Sequence, residues 1–220
     1  MKIIGDSSQF APLFPDDFLK EILERVFMAW DNIPKPIDET KETRITKLLR
    51  KHYAYDKVIK KLPFRVAREF TIDSEFGEEL GRIDLCLLHG DNEDVYFAFE
   101  CKRLNVLFPN GEFKSLASEY TGVDGIECFI CEKYSRSHRH AGMIAYVLDG
   151  NRKDALKSVA NRLVKQSEKI CLSSGGFHPP THVQHEWLRK TLHSLSGRTM
   201  SIHHLFLSSR DENCSGDERV

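Results

Sequence analysis

The chain has 220 residues, 40% of them hydrophobic and 30% charged, with a formal net charge of −1. That length is enough for one domain whose core closes without disulfides or structural metals, and no apolar run approaches the ~20 residues of a membrane span. The amino terminus, MKIIGDSSQFAPLFPDDF, meets acidic residues and prolines before any stretch of signal-peptide length, which predicts a cytoplasmic location.

Taken in order, Phe18, Leu19, Ile22, Leu23, Val26 and Phe27 recur at the helical period up to Trp30, with Asp16 or Asp17 as the expected cap and Pro34 and Pro36 as the stop. A second helix is expected from about Glu39 to Tyr53, because Ile45, Leu48, Leu49, His52 and Tyr53 form one stripe. Arg65 to Asp73 reads as a strand that turns at Glu75-Phe76-Gly77 into a second strand, Leu80 to Leu88. After a polar turn from His89 to Asp94, Val95 to Cys101 is too short and too aromatic for a helix and reads as a strand buried on both faces. A helical rhythm through Phe113, Leu116, Tyr120, Val123, Ile130 and Tyr134 follows, with a break or close contact expected at Gly122 and Gly125. Ala141 to Leu148 predicts a strand and Arg152 to Lys169 a basic amphipathic helix. The segment around Trp187 is ambiguous, Met200 to Leu207 supplies a last strand, and residues 208–220 form a polar tail. Alternating strands and helices give an α/β fold class, a mixed central sheet flanked by helices, as a single domain over residues 1–207.

The six cysteines lie mostly in apolar segments and read as reduced thiols. Cys128-x-x-Cys131 lacks two well-spaced further ligands, so no structural zinc is expected. Charge is unevenly spread. Residues 41–61 hold eight Lys or Arg and residues 151–169 hold six, whereas residues 69–100 carry ten Asp or Glu and only Arg82 as a base. An acidic centre flanked by basic faces suits a metal-assisted reaction on a polyanion; solvated helix faces are the plainer reading.

Side chains alternate along a strand, so Glu100 and Lys102 share one face while Phe97, Phe99 and Cys101 pack on the other. In the preceding strand Asp84 points away from Ile83, Leu85 and Leu87, and a hairpin would set it beside Glu100. Two adjacent carboxylates repel unless a cation, a shared proton or a donor relieves them, and hard oxygen ligands of this kind suit Mg²⁺ or Mn²⁺. The Glu-x-Lys pattern also occurs at Glu39-x-Lys41 and Glu112-x-Lys114, but only Glu100 and Lys102 end an apolar strand that follows an Asp-bearing one.

In these residues the chain resembles the PD-(D/E)XK, or restriction-endonuclease-like, nuclease superfamily over roughly residues 38–170. Ile83 stands where the family has a proline. The resemblance implies a restriction-endonuclease-like core and Mg²⁺- or Mn²⁺-dependent hydrolysis of DNA phosphodiesters. Asp84 and Glu100 then hold the metal, and Lys102 positions the water, deprotonates it or stabilises charge. Glu42, or Glu39 one turn earlier, supplies the helical acidic residue of the same metal site. It also implies a nuclease subunit of bacterial antiviral defence, with a targeting protein partner or a homo-oligomeric form and no membrane association. A catalytically silent nucleic-acid-binding or assembly subunit of the same fold is the alternative, and an unrelated domain with an ordinary ion network is a third. Arg103 is a candidate phosphate contact or structural ion pair, and His138, Arg139 and His140 form a candidate phosphate-approaching loop. Of His203 and His204 one is expected in the core and one exposed.

Overall fold

The apolar period over residues 18–30 produces a 3-10 turn, Asp16–Phe18, that runs directly into helix α1, Leu19–Asp31. The computed structural model describes residues 15–73, 76–90, 92–131, 138–173, 175–181 and 183–210, with the backbone alone at residues 92–94. Asp16 and Asp17 lie inside the 3-10 turn, and neither side chain caps α1, because the turn itself carries the chain into the helix. Helix α2, Glu42–Tyr55, starts three residues later than expected; the residues before it form a turn. It buries Ile45, Leu49 and Tyr53, while His52 and Leu48 sit at the margin. The Tyr53 hydroxyl donates to the Ile22 carbonyl at 3.1 Å and so ties α2 to α1.

Strands β1, Phe64–Asp73, β2, Glu79–His89, and β3, Asn92–Leu104, form an antiparallel meander. The polar turn after β2 is tighter than its composition suggests, since His89 pairs with Asn92. Val95 to Cys101 is buried throughout. The expected helical rhythm after β3 is replaced by a hairpin, β4 Val106–Leu107 with β5 Phe113–Lys114, and two short helices, α3 Ala117–Thr121 and α4 Glu127–Ile130. Gly125 explains the break: a Cβ there would stand 2.1 Å from the Tyr120 carbonyl oxygen, so the chain folds back through a position only glycine can fill. Tyr134 and residues 211–220, with Cys214, fall outside the described residues.

Strand β6, His140–Val147, leads into α5, Arg152–Lys165, whose Asn151 cap accepts from the Asp154 amide at 3.1 Å. The basic helix thus ends short of Lys169. The ambiguous region around Trp187 opens strand β7, Leu188–Leu195, which turns into β8, Arg198–Ser208. Six strands make one sheet in the order β1-β2-β3-β6-β8-β7, with β3, β6 and β8 parallel and the remaining pairs antiparallel. The molecule is therefore α/β, a mixed six-stranded sheet with helices packed on it, around one continuous apolar cluster. Among the described residues no helix is long and apolar enough to cross a membrane.

Register fixes the two faces of the sheet. Glu100, Met143 and His204 stand opposite one another and share a face, whereas Arg103, Tyr146 and Leu207 share the other. On the second face lie α1 and α2: Thr46 bonds the Tyr146 hydroxyl at 3.0 Å, Trp30 stacks on Tyr146, and the Trp30 indole donates to the Ser208 carbonyl at 2.7 Å. On the first lies α3, whose Tyr120 bonds His204 at 3.0 Å, with α5 packed against it.

Candidate active site

The β2–β3 ladder runs from the hairpin only as far as Leu85 opposite Phe99, and β3 continues beyond it with one edge unpaired by β2. Continuing that register sets Asp84 across from Glu100. An amide left without a ladder partner needs another acceptor, and carboxylates from two different elements supply it. Asp84 Oδ2 accepts from the Cys101 amide at 2.9 Å, and Glu42 Oε2, from the first residue of α2, accepts from the Arg103 amide at 2.8 Å. These two donors are alternate residues of one strand and so face the same edge.

Between those anchors stands the charged pair of β3 itself. Lys102 Nζ lies 2.8 Å from Glu100 Oε1 and 3.5 Å from Glu42 Oε1. Glu100 is buried, and its second oxygen, Oε2, has no hydrogen-bond partner. Burial, then the charge of Asp84, pushes the Glu100 carboxyl up to about 9 against the opposing pull of Lys102. Burial also raises the Glu42 carboxyl, with Lys102 and the Arg103 amide working against it and Asp84 adding to it. For Lys102, burial disfavours the charge, but Glu100 and Glu42 together outweigh it and hold the ammonium above its ordinary range. A lysine in that state is a cation and not a free base, so of the three roles the resemblance leaves open to it, water deprotonation does not fit this charge state.

The structure thus gathers Asp84, Glu100, Lys102 and Glu42, from three separate segments, at one strand edge. Glu39 is exposed in the turn before α2, and Glu42 makes the contacts. Arg103 directs its guanidinium to the Asp38 and Thr40 carbonyls, both at 3.4 Å, a structural tie between β3 and the segment before α2. Comparison with models of protein families, with curated proteins and with solved structures finds no match.

A divalent cation can be tested against these donors. Asp84 and Glu100 fit: they are adjacent carboxylates, and the unsatisfied buried Glu100 Oε2 is an atom that a cation or a shared proton would satisfy. Glu42 fits less well, since one oxygen holds the Arg103 amide and the other faces Lys102. Among the described residues no three His, Cys, Asp or Glu side chains are arranged to hold a metal ion. Cys128 is buried with its thiol donating to the Val123 carbonyl at 2.9 Å, and Cys131 is exposed.

Three expectations about the surroundings change. His203 and His204 are both buried, the latter because Tyr120 and Thr191 bond its two ring nitrogens. His140 begins β6 and lies 3.4 Å from Asp16, which also pairs with Arg139 at 2.8 Å, so these residues tie the sheet to the start of α1 and do not form a phosphate-approaching loop. Finally, the two basic segments do not flank one surface: α2 and α5 pack on opposite faces of the sheet, a relation that no charge count reveals.

Proposed function

We propose that the protein is a Mg²⁺- or Mn²⁺-dependent nuclease with a restriction-endonuclease-like core, hydrolysing DNA phosphodiesters as the nuclease subunit of a defence complex against foreign DNA. The observation that carries this reading is the convergence of Asp84, Glu100, Lys102 and Glu42 at the open edge of β3, with a buried carboxylate oxygen left unsatisfied. Asp84 and Glu100 would hold the cation, which when bound supplies Lewis-acid polarisation of the phosphate and an acidified water. Lys102, kept charged by Glu100 and Glu42, orients the attacking water and offsets the charge that builds on the phosphoryl oxygens. Glu42 acts as a positioning residue: it fixes the β3 backbone through the Arg103 amide and pairs with Lys102.

A catalytically silent nucleic-acid-binding subunit is the second reading. It is favoured by the same contacts seen as a strand-edge latch, since Asp84 and Glu42 each satisfy a β3 amide and Lys102 already neutralises Glu100. Incubation of purified protein with plasmid, single-stranded DNA and RNA, with Mg²⁺, Mn²⁺ or chelator, separates the two. Metal-dependent DNA cleavage that disappears in Asp84→Ala and Glu100→Ala supports the enzyme. Salt-sensitive DNA binding without cleavage in any metal supports the silent subunit.

A further inference from the structure

The outer face of α2 carries a row of side chains that neither the carboxylate cluster nor the core uses. Arg44, Lys47, Lys51 and Tyr55 are all exposed and stand at i, i+3, i+7 and i+11, so they form one stripe opposite the buried Ile45, Leu49 and Tyr53. At ~1.5 Å of rise per residue, the steps along that stripe are about 4.5, 6 and 6 Å. None of the three cations makes an ion pair or side-chain hydrogen bond with another described residue. The two acids of residues 41–61 are engaged elsewhere. Glu42 holds the Arg103 amide and pairs with Lys102, while Asp56 accepts from the Val58 and Ile59 amides at 2.8 and 3.1 Å and lies 3.7 Å from Arg25. A merely solvated helix face commonly sets acids three or four residues from its bases, but none stands at those spacings from Arg44, Lys47 or Lys51. Arg44 with Lys47 and Lys47 with Lys51 are instead like charges at helix-neighbour spacing, which weakens a helix.

The row ends on an aromatic ring. Tyr55, the last residue of α2, is 67% exposed, and Lys60 Nζ lies 4.5 Å from its ring centroid, so a cation covers one face and the other is left to solvent. Unpaired cations in file attract the phosphates of a nucleic-acid backbone, and a duplex can supply those. The faces of paired bases are stacked inside a duplex, however, so an open ring at the end of the row has nothing to meet there. An unpaired strand supplies both, phosphates for the cations and a base face for the ring, and such stacking is tolerant of sequence. We infer that the outer face of α2 binds an unpaired DNA strand, with its phosphates on Arg44, Lys47 and Lys51 and one base stacked on Tyr55. The inference rests on the nucleic-acid partner that both readings of function share, and it needs neither the metal nor cleavage.

Fluorescence anisotropy on the full-length protein tests this with a labelled mixed-sequence DNA strand, its duplex and the RNA strand of the same sequence, all in chelator so that nothing is cut. Tyr55→Ala should bind the DNA strand at least ~5-fold more weakly, the lower end of the effect of one stacked base, and the duplex within ~2-fold of the unaltered protein. Tyr55→Phe, which keeps the ring, should bind the strand as the unaltered protein does. Lys47→Ala with Lys51→Ala should lower the slope of log affinity against log salt for the strand by about 1.4, two phosphate contacts at about 0.7 each. Circular dichroism shows whether each variant is folded. Asp84→Ala should bind the strand unchanged, and cleavage is assayed apart with metal, so the failure of this inference and the failure of the nuclease reading are separate results. The inference is overturned if the strand fails to bind below ~100 μM at low salt, if Tyr55→Ala keeps full affinity for it or weakens the duplex equally, or if the RNA strand binds at least ~10-fold more tightly than the DNA.

Discussion

Lys102 stands between two carboxylates that reach it from different elements, and its charge state is the outcome of that competition. Strand alternation put Glu100 and Lys102 on one face from sequence alone. The direction of the lysine shift was not legible, because it depends on Glu42 arriving from α2 and on how deeply the edge of β3 is covered. Asp84→Ala and Glu100→Ala should lose Mn²⁺ binding in calorimetry and lose cleavage. Lys102→Ala should bind Mn²⁺ about as well but cleave at least ~100-fold more slowly, the scale for removing a charge-stabilising group; full cleavage by clean Lys102→Ala protein would show that the chemistry lies elsewhere. Glu100 allows a separate test. Burial and the charge of Asp84 push its carboxyl up from an ordinary 4.5 to about 9, against the pull of the Lys102 ammonium towards the ionised form. A raised folded-state value means that the contribution of Glu100 is fully present below the ordinary value of 4.5 and is lost as pH rises through about 9. Glu100→Gln copies the protonated form and cannot ionise. Its melting temperature without metal should therefore match the unaltered protein near pH 5 and exceed it progressively towards pH 9, and a difference that stays flat across that range would show that Glu100 ionises normally.

The β7–β8 hairpin carries a buried hydrogen-bond chain whose direction is set from one end. The Ile170 carbonyl can only accept, so His193 Nδ1 donates to it at 2.7 Å. Burial lowers the His193 pKa and, more strongly, that of His204, with neighbouring histidines adding to the effect on His204, so both rings stay neutral. Thr191 then donates to His193 Nε2 at 2.7 Å, His204 Nε2 donates to Thr191 at 2.8 Å, and Tyr120 donates to His204 Nδ1 at 3.0 Å. Thr191→Val keeps the volume but strands both histidines, at a cost of about 1–3 kcal/mol in urea denaturation. Because both values are depressed, the stability these rings contribute is complete above the ordinary 6.5 and is lost as pH falls below it. Urea midpoints should drop between about pH 7 and 5, and replacing both histidines with non-titrating residues should flatten that drop. None of this chain was visible in the sequence. Arg189, Lys190 and His193 give β7 a polar composition, and its strand character comes from pairing with β8. The apolar periods of α1, α2, β3 and β6, by contrast, were legible because each buries a face determined by its own residues. The rhythm after β3 misled for a local reason: Leu116 takes φ +55° and Gly125 allows the backbone to close on Tyr120, which divides a helical pattern into short pieces.

At the scale of the molecule, the sequence revealed where basic charge is concentrated but not which side of the sheet each concentration occupies. Arg44, Lys47 and Lys51 are exposed along one side of α2, opposite its buried Ile45, Leu49 and Tyr53, and the first residue of that helix is Glu42 of the carboxylate cluster. Lys153, Lys157 and Lys165 are exposed on α5, across the sheet. A duplex held beside Glu42 lies next to the α2 surface, whereas α5 stands across the sheet from that helix. DNA affinity should therefore depend unequally on the two helices. Each phosphate contact contributes about 0.9 to the slope of log affinity against log salt concentration, so a triple Arg44→Glu, Lys47→Glu and Lys51→Glu protein should lose about 2–3 from that slope along with most of its affinity at low salt. The corresponding Lys153→Glu, Lys157→Glu and Lys165→Glu protein should keep a slope within about 1 of the unaltered value. Fluorescence anisotropy with a labelled duplex over a series of salt concentrations measures both, and circular dichroism checks that the charge reversals leave the helices intact. Equal losses from the two triple variants would mean that the nucleic acid wraps the molecule or that two copies share one duplex. A loss confined to the α5 variant would place the bound strand on the α3 and α5 face of the sheet, away from Glu42.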